Sequence, residues 1–267
     1  MAAPAPLHAD RGHGWLHPEP ARRHPHSNST SGRLTDGRSN STPNFHLIDG
    51  HDRLKTFDRV ALYYNTARDD CANLNMIVDE AIPDRRSLRM LEFASGYGRM
   101  TRFLAARDDR YKMTACDIHP QAVEFVSQKL KIPAFVSNSV PEKLDISGRF
   151  DCVFTLSFFT HVPLSTWFRW LEKLWSLVDV GGLLIFTTHG HVTHQLREPN
   201  IPIVDGFGFR SGSEQHDLDQ DEFGTTYSLP EFVVQQIRKL PNSRIQSFRE
   251  GLWFGHQDAY CILKLPN

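Results

Sequence analysis

The chain has 267 residues, enough for one large domain or two small ones, and a formal net charge of −1. A charge this small creates no strong field, so we expect neither nucleic acid nor an anionic membrane as a partner. The four cysteines are widely spaced and form no C-x-x-C pair. This pattern argues against a thiolate zinc site and fits a reducing cytoplasm.

Residues 1–45 differ in composition from the rest of the chain. They are rich in Pro, Gly, Ser, Asn, Arg and His and show almost no apolar periodicity, which predicts a disordered tail. They lack the continuous apolar run of a secretory signal. No later segment approaches the ~18 apolar residues that a membrane-spanning helix needs. We therefore expect one folded domain over residues 46–267, located in the cytoplasm.

From about residue 50, apolar residues recur with helical spacing in some segments and form short buried runs in others. Helices alternate with strands, and this order predicts a mostly parallel, doubly wound α/β sheet with helices on both faces. The predicted helices cover residues 57–82 (as one helix or two), 100–107, 121–130, 166–178 and 230–240; the predicted strands cover residues 87–93, 111–117, 133–137, 150–157, 183–188, 244–250 and 258–265.

In such a sheet the ligand binds outside the carboxyl ends of the strands. Four segments follow predicted strand ends and belong to this binding edge: residues 92–98, 117, 157–161 and 187–191. Asp151 stands at the start of its strand, at the opposite edge, so we expect it to be structural.

The stretch "LEFASGYGR" over residues 91–99 joins a strand to a glycine turn. Gly96 and Gly98 allow positive φ angles and close approach of a ligand to the backbone. A dinucleotide fingerprint would need a third glycine where Thr101 stands. Glu92 before the turn and Asp117 at the end of the next strand instead suit a ligand with an amine and a ribose.

Four segments in succession resemble the motifs of class I S-adenosylmethionine-dependent methyltransferases: "MLEFASGYGRMTRFLA", "TACDIHPQAV", "FDCVFTLSFFTHVP" and "LVDVGGLLIFTTHG". The resemblance covers roughly residues 55–267, with Ala94 in place of the first motif glycine. It implies a Rossmann-like sheet of seven strands whose last strand runs antiparallel between its neighbours. It also implies S-adenosylmethionine as cofactor.

The resemblance assigns roles to residues along the binding edge. Glu92 would orient the methionine amine, the glycine turn would pass close to the cofactor, and Asp117 would accept hydrogen bonds from the ribose. Asn138 or Ser139 would stand near the adenine amine, and Ser157 near the methionine end. The cofactor-binding set is Glu92, Ala94, Ser95, Gly96, Gly98, Asp117, Ile118, Asn138, Ser139 and Ser157.

An alcohol acceptor must lose a proton during methyl transfer, so a histidine within reach is expected. The candidate bases are His161, His191 and His256, with His161 first, although His161 in "FFTHVP" also suits a packing or helix-start role. Asp258 is open to a second interpretation, as a residue that fixes the hairpin turn. The candidate acceptor-binding residues are Tyr63, Tyr64, His189, Trp253 and Asp258.

Two long segments flank the core and are predicted to form a lid that excludes water: a helical lid over residues 53–82 and an insertion over residues 190–229. The string "GHQDAYCILK" resembles methyltransferases encoded with bacterial glycosyltransferases. The predicted acceptor is therefore a small hydroxylated molecule (a sugar, a glycoside or another natural product), and no metal is expected. Two alternatives stay open: a cofactor-binding partner subunit without activity, and a nicotinamide-dependent oxidoreductase.

Overall fold

The computed structural model describes residues 57–107, 109–212 and 223–267. The predicted tail over residues 1–45 lies outside this part of the chain. The helices are α1 (Phe57–Ala81), α2 (Thr101–Ala105), α3 (Pro120–Lys129), α4 (Leu164–Ser176), α5 (His191–Arg197) and α6 (Pro230–Ile237). The strands are β1 (Leu88–Phe93), β2 (Tyr111–Asp117), β3 (Ala134–Val136), β4 (Phe150–Thr155), β5 (Val178–His189), β6 (Phe207–Ser211), β7 (Gly224–Ser228), β8 (Ser243–Trp253) and β9 (Gln257–Lys264).

Seven strands form one sheet in the order β3-β2-β1-β4-β5-β9-β8. The strands from β1 to β5 pair in parallel, and β9 runs antiparallel to both β5 and β8. This topology confirms the predicted fold, including the antiparallel last strand between its neighbours. Glu92 on β1 pairs with Ala115 on β2 and Phe154 on β4, so the carboxyl ends of these strands meet at one edge.

Alternate residues of each strand enter two separate cores, because successive side chains of a strand point to opposite faces. On one face, Leu91 and Phe93 of β1 pack with the tryptophans of α4. On the other, Leu88 and Met90 pack with the apolar side of α1. Trp167, Trp170 and Trp175 are all buried and pack α4 on the sheet.

The border between α4 and β5 differs from the sequence prediction. The helix ends at Ser176, and β5 begins at Val178 and passes through the two glycines that were expected to precede it. Gly181 has φ +73°, and the register of β5 against β4 shifts here. A Cβ on Gly182 would lie 2.8 Å from the Asp151 carbonyl oxygen. The glycines therefore form a bulge inside the strand and do not break it.

The insertion after β5 contains structure that the sequence did not predict. It begins with α5, and its strands β6 and β7 form a small antiparallel sheet. Backbone hydrogen bonds from Gly224 and Thr226 of β7 to the carbonyls of His161 and Thr160 join this sheet to the loop after β4. The insertion is thus anchored at the predicted binding edge.

Asp151 lies at the opposite edge, where Arg85 and Arg89 donate to its carboxylate. The structural role predicted for Asp151 agrees with these ion pairs. In the described part of the chain, no helix has the length and apolar character needed to span a membrane.

Candidate active site

The turn after β1 combines three left-handed residues. Ala94, Gly96 and Gly98 have φ angles of 59°, 53° and 71°. A Cβ on Gly96 would meet no atom of the described residues within 4 Å, so this side of the turn is open among them. A Cβ on Gly98 would lie 2.8 Å from Leu130, so this glycine is needed for packing against the end of α3. The side where a Cβ would stand is therefore open at Gly96 and filled at Gly98, and the close approach of a ligand to the two glycines stays a prediction.

Asp117, at the end of β2, fixes the glycine turn. Its Oδ2 accepts from the backbone N–H of Gly96 at 2.6 Å, and its Oδ1 accepts from that of His119 at 3.0 Å. Ser95 is held beside it by a backbone hydrogen bond to Cys116. Burial raises the pKa of Asp117, and the backbone donors oppose this shift. Each carboxylate oxygen keeps a second lone pair with which it can accept a ligand hydroxyl.

Glu92 is the second buried acid at this edge. Its Oε2 accepts a hydrogen bond of 2.5 Å from Thr101, the first residue of α2. Burial raises the pKa of Glu92 to about 7, although the Thr101 hydroxyl and the charge of Arg99 act in the opposite direction. A carboxyl near its midpoint at neutral pH gains a full charge easily when a cation arrives beside it.

Two arginines connect the glycine turn to α1. Arg99 forms a 2.6 Å ion pair with Asp70 and lies over the ring of Tyr63 at 5.9 Å. Arg102 donates to the Tyr64 hydroxyl at 3.0 Å and to the carbonyl oxygens of the turn. The sequence analysis did not indicate these contacts. Their partners lie about 30 to 40 residues away, beyond the reach of local patterns.

Tyr63 lies close enough to Glu92 for their charges to interact. The Tyr63 side chain is buried, and burial raises its pKa to about 12, with Arg102 and Arg99 lowering it and Glu92 raising it further. The rings of Tyr63 and Tyr64 form a T-shaped contact, with their centroids 5.3 Å apart. The N-terminal half of α1 thus lies beside the glycine turn, where the predicted lid would act.

Three predicted adenine contacts follow β2 and β3 at the same edge. Ile118 comes directly after Asp117 and is half-buried. Asn138 and Ser139 follow β3 and are also half-buried, and Asn138 Oδ1 accepts from the backbone N–H of Val140 at 2.9 Å. Their contact with a ligand stays a prediction.

Three histidines meet at the carboxyl end of β5, and we call His161, His189 and His256 the histidine cluster. The His189 ring lies 5.8 Å from that of His256 and 5.6 Å from that of Tyr227. Burial lowers the pKa of His189 to about 3, and charge on the other two members lowers it further. His189 is therefore neutral at physiological pH and too weak a base to take a proton there.

Hydrogen bonds define which ring nitrogen of the other two members carries the proton. Nδ1 of His161 lies 2.8 Å from the Gly224 carbonyl oxygen, which can only accept, so Nδ1 is protonated and Nε2 carries the basic lone pair. Nε2 of His256 lies 2.8 Å from a nitrogen of Arg197, which can only donate. The lone pair on Nε2 of His256 thus already accepts a hydrogen bond from Arg197. Burial, followed by the Arg197 charge, also lowers its pKa. This arrangement disagrees with the prediction of His256 as a base.

His191 lies apart from the histidine cluster. It is exposed at the start of α5, with its Nε2 3.6 Å from Glu231. Asp258 is fully buried: its Oδ1 accepts from the backbone N–H of Gly251, and burial raises its pKa to about 6. A methyl group on Gly190 would collide with the Asp258 carboxylate. These contacts favour the turn-fixing interpretation of Asp258.

Trp253 ends β8 with no exposed surface and packs 5.9 Å from the ring of Phe154 in the core. The expectation that its ring lines an acceptor pocket disagrees with this burial. The apolar core that β8 and β9 share with α1 accounts for its position.

Ser157 follows β4 with a left-handed φ of +60° and shares hydrogen bonds with Thr187 and Gln257. The sequence indicated Ser157 through its motif and placed Thr187 at the binding edge, but it did not predict their contact and missed Gln257. Thr187 and Gln257 lie 30 and 100 residues further along the chain, and only the pairing of β4, β5 and β9 brings them together.

The region between β1 and β5 has a recognisable family signature. Residues 91–184 match the family model described as a methyltransferase domain. This stretch carries a methyltransferase signature. The predicted resemblance is confirmed, since the matched residues include the glycine turn, both acids and the end of β4.

Solved structures agree with the fold of this methyltransferase domain. A S-adenosylmethionine-dependent methyltransferase from Clostridium acetobutylicum ATCC 824 superposes with a TM-score of 0.53 at 13% identity, over 79% of this chain and 95% of that chain. CalS10, an amino pentose methyltransferase from Micromonospora echinaspora involved in calicheamicin biosynthesis, gives 0.54 at 14% identity, over 80% and 99% of the two chains. The glycopeptide N-methyltransferase MtfA gives 0.54 at 13% identity, over 75% and 90%.

At these identities the likeness establishes the architecture, and the acceptor has to be argued from the site itself. No curated protein matches the sequence at a significant level.

Proposed function

We propose that the protein transfers a methyl group from S-adenosylmethionine to a hydroxyl group of a small molecule. The observation that carries this proposal is the pair of buried acids, Glu92 and Asp117, beside a glycine turn whose Gly96 side faces open space. Residues 91–111 contain no lysine, and the two arginines of the turn are engaged by Asp70 and by Tyr64 and backbone carbonyls.

The donor set suits S-adenosylmethionine. Asp117 is anchored by two backbone N–H groups and would accept from the two ribose hydroxyls with its remaining lone pairs. Glu92, with its raised pKa of about 7, would become fully charged opposite a methionine ammonium group. Ile118 would pack on adenine, and Asn138 or Ser139 would meet its amine. When bound, the cofactor supplies a methyl group on a positively charged sulfur that is a good leaving group.

The chain's own contribution to the chemistry is positioning and proton removal. His161 is the best placed base, because the carbonyl of Gly224 fixes its tautomer with Nε2 as the basic nitrogen. Nε2 would take the proton from the acceptor hydroxyl as the oxygen–carbon bond forms. His189, neutral and buried beside it, would help to shape the acceptor pocket without exchanging protons.

Water has to be kept from the reacting atoms, and two segments are positioned for this role. The start of α1 is tied to the glycine turn by Arg99 and Arg102. The small β6–β7 sheet is tied to the loop after β4 through His161. Both contacts support the lid role proposed for residues 53–82 and 190–229.

A sugar, a glycoside or another hydroxylated natural product is the proposed acceptor class. CalS10 is described as an amino pentose methyltransferase and MtfA as acting on a glycopeptide, and both share this fold. An oxidoreductase is disfavoured by Thr101, whose hydroxyl is bonded to Glu92 where a dinucleotide fingerprint has glycine.

A mass-spectrometric screen tests the proposal. The protein would be incubated with S-adenosylmethionine and a panel of hydroxylated and aminated small molecules, with the His161→Gln variant as a control. The expected result is a product heavier by one methyl group, formed by the unmodified protein and far more slowly by the variant. Methylation confined to amines would contradict the hydroxyl assignment. If S-adenosylhomocysteine binds but no panel member is methylated, the result favours the partner-subunit alternative.

A further inference from the structure

Ser157 adopts a backbone conformation that its residue type disfavours. It lies two residues after the end of β4, with φ +60°. A side chain with a Cβ pays a steric cost in the left-handed region, and such residues persist only where their surroundings hold them, often at functional sites. The neighbours of Ser157 should therefore explain how this conformation is kept.

The backbone N–H, the backbone carbonyl and the hydroxyl of Ser157 each form a hydrogen bond with a different side chain. Its N–H donates to Thr187 Oγ1 of β5 at 2.8 Å. Its carbonyl oxygen accepts from the Thr160 hydroxyl at 2.5 Å. Its own hydroxyl lies within hydrogen-bonding distance of the Gln257 amide, 2.9 Å from Nε2 and 3.1 Å from Oε1.

Gln257 links the ends of three strands. It is the first residue of β9, is 5% exposed, and pairs with His189 of β5 and Trp253 of β8. Its Oε1 accepts from the Thr187 hydroxyl at 2.8 Å, so one amide joins β9 to β5 and to the residue after β4. A buried amide with its oxygen and nitrogen both engaged is a rigid connection.

We propose that Gln257 is a positioning residue, which holds Ser157 in its left-handed conformation and so fixes the wall of the cofactor pocket at its methionine end. This inference rests on the proposed function, since that function places the methionine end of S-adenosylmethionine near Ser157. Phe154, three residues before Ser157, pairs with Glu92, so a displaced Ser157 would alter the pocket next to the acid that faces the ammonium group.

A Ser157→Gly variant distinguishes a positioning role of Gln257 from direct contact between Gln257 and the ligand. Glycine enters the left-handed region without a steric penalty and needs no side chain to hold it there. If Gln257 acts through Ser157, the loss of Gln257 should matter much less once residue 157 is glycine. If Gln257 contacts the ligand itself, its loss should matter equally in both backgrounds.

The experiment measures S-adenosylhomocysteine affinity by isothermal titration calorimetry for four proteins: unmodified, Gln257→Met, Ser157→Gly and the double variant. Methionine matches glutamine in length and cannot donate a hydrogen bond. We expect Gln257→Met to weaken binding about tenfold in the Ser157 background and less than about twofold in the Ser157→Gly background. Gln257→Asn, which keeps the amide on a shorter arm, provides the same comparison if Gln257→Met does not fold.

A matched control is Gln236→Met. Gln236 is a buried glutamine on α6 whose amide accepts from Lys239, and its loss should leave S-adenosylhomocysteine affinity unchanged. Equal weakening by Gln257→Met in both backgrounds, or no weakening in either, would overturn the positioning role. Failure of the unmodified protein to bind S-adenosylhomocysteine would instead overturn the proposed function and this inference with it.

Discussion

The glycine turn draws its acids and its left-handed residues from positions 92–117, whereas the histidine cluster draws its three members from the end of β5, the loop after β4 and the turn between β8 and β9. In the turn, backbone N–H groups hold the Asp117 carboxylate. In the cluster, a carbonyl and a guanidinium decide which nitrogen of each imidazole is basic. In the proposed function these are two tasks: the local turn would bind the donor, and the long-range assembly would handle the acceptor and its proton.

The largest effect should come from the acceptor side. Replacing His161 by Gln removes the proposed base, so turnover should fall by roughly a hundredfold or more, the usual scale for such a loss. S-adenosylhomocysteine affinity should stay nearly constant, because the donor is held by the glycine turn. Acidification should lower the turnover of the unmodified protein, since protonation removes the lone pair of Nε2. Steady-state kinetics with a methylated acceptor checks this; unchanged turnover in the variant would remove His161 from the chemistry.

The next effect should come from the donor side. Asp117→Ala removes the ribose acceptor and the anchor of Gly96, so cofactor binding should weaken by roughly 1.5–3 kcal/mol, the range for a hydrogen bond to a charged group. Asp117→Asn keeps one acceptor oxygen and should lose less. Calorimetric titration with S-adenosylhomocysteine measures both variants. Normal affinity in Asp117→Ala would mean that the ribose is held elsewhere.

The sequence indicated residues of both regions, but it predicted the glycine turn more completely than the histidine cluster. The alternation of helices and strands and the motif "LEFASGYGR" predicted the sheet and the turn, because their interactions are local or follow from strand order. Strand order placed Thr187 at the binding edge, but the contacts of Gln257 escaped prediction, since nothing in its neighbourhood shows that β9 brings an amide to Ser157. The role of Arg197, on α5, was missed for the same reason, because Arg197 lies 59 residues before its partner His256.

A third prediction concerns the pH dependence of stability. The pKa of Glu92 is raised from 4.5 to about 7 in the folded state, so the folded protein keeps a proton that the unfolded chain releases. This contribution is fully present below pH 4.5 and is lost as the pH rises through 7. Glu92→Gln has no titrating group at this position, so its unfolding free energy should not show this loss. As the pH rises from 5 to 8, the unmodified protein should therefore lose about 2 kcal/mol of unfolding free energy relative to the variant.

Urea denaturation at the two pH values measures this change, and Glu142→Gln, at an exposed carboxyl paired with Arg169, is the control. A pH-independent difference between Glu92→Gln and the unmodified protein would show that the folded state does not perturb this carboxyl.

The smallest expected effect concerns which histidine acts as the general base. His256 accepts a hydrogen bond from Arg197 through the nitrogen that a base would need. His256→Asn keeps an acceptor for Arg197, so turnover should change less than about threefold, far below the general-base scale. His191→Ala, at the exposed partner of Glu231, should be equally mild. A hundredfold loss in either variant would move the base from His161 to that residue.

The binding of S-adenosylmethionine by the glycine turn and its two acids underlies every role proposed for this site. Isothermal titration calorimetry of the unmodified protein with S-adenosylhomocysteine and, separately, with NADH at the same concentration measures this binding. We expect saturable binding of S-adenosylhomocysteine, which Asp117→Ala weakens, and no binding of NADH. Binding of NADH without binding of S-adenosylhomocysteine would show that the turn serves a different ligand.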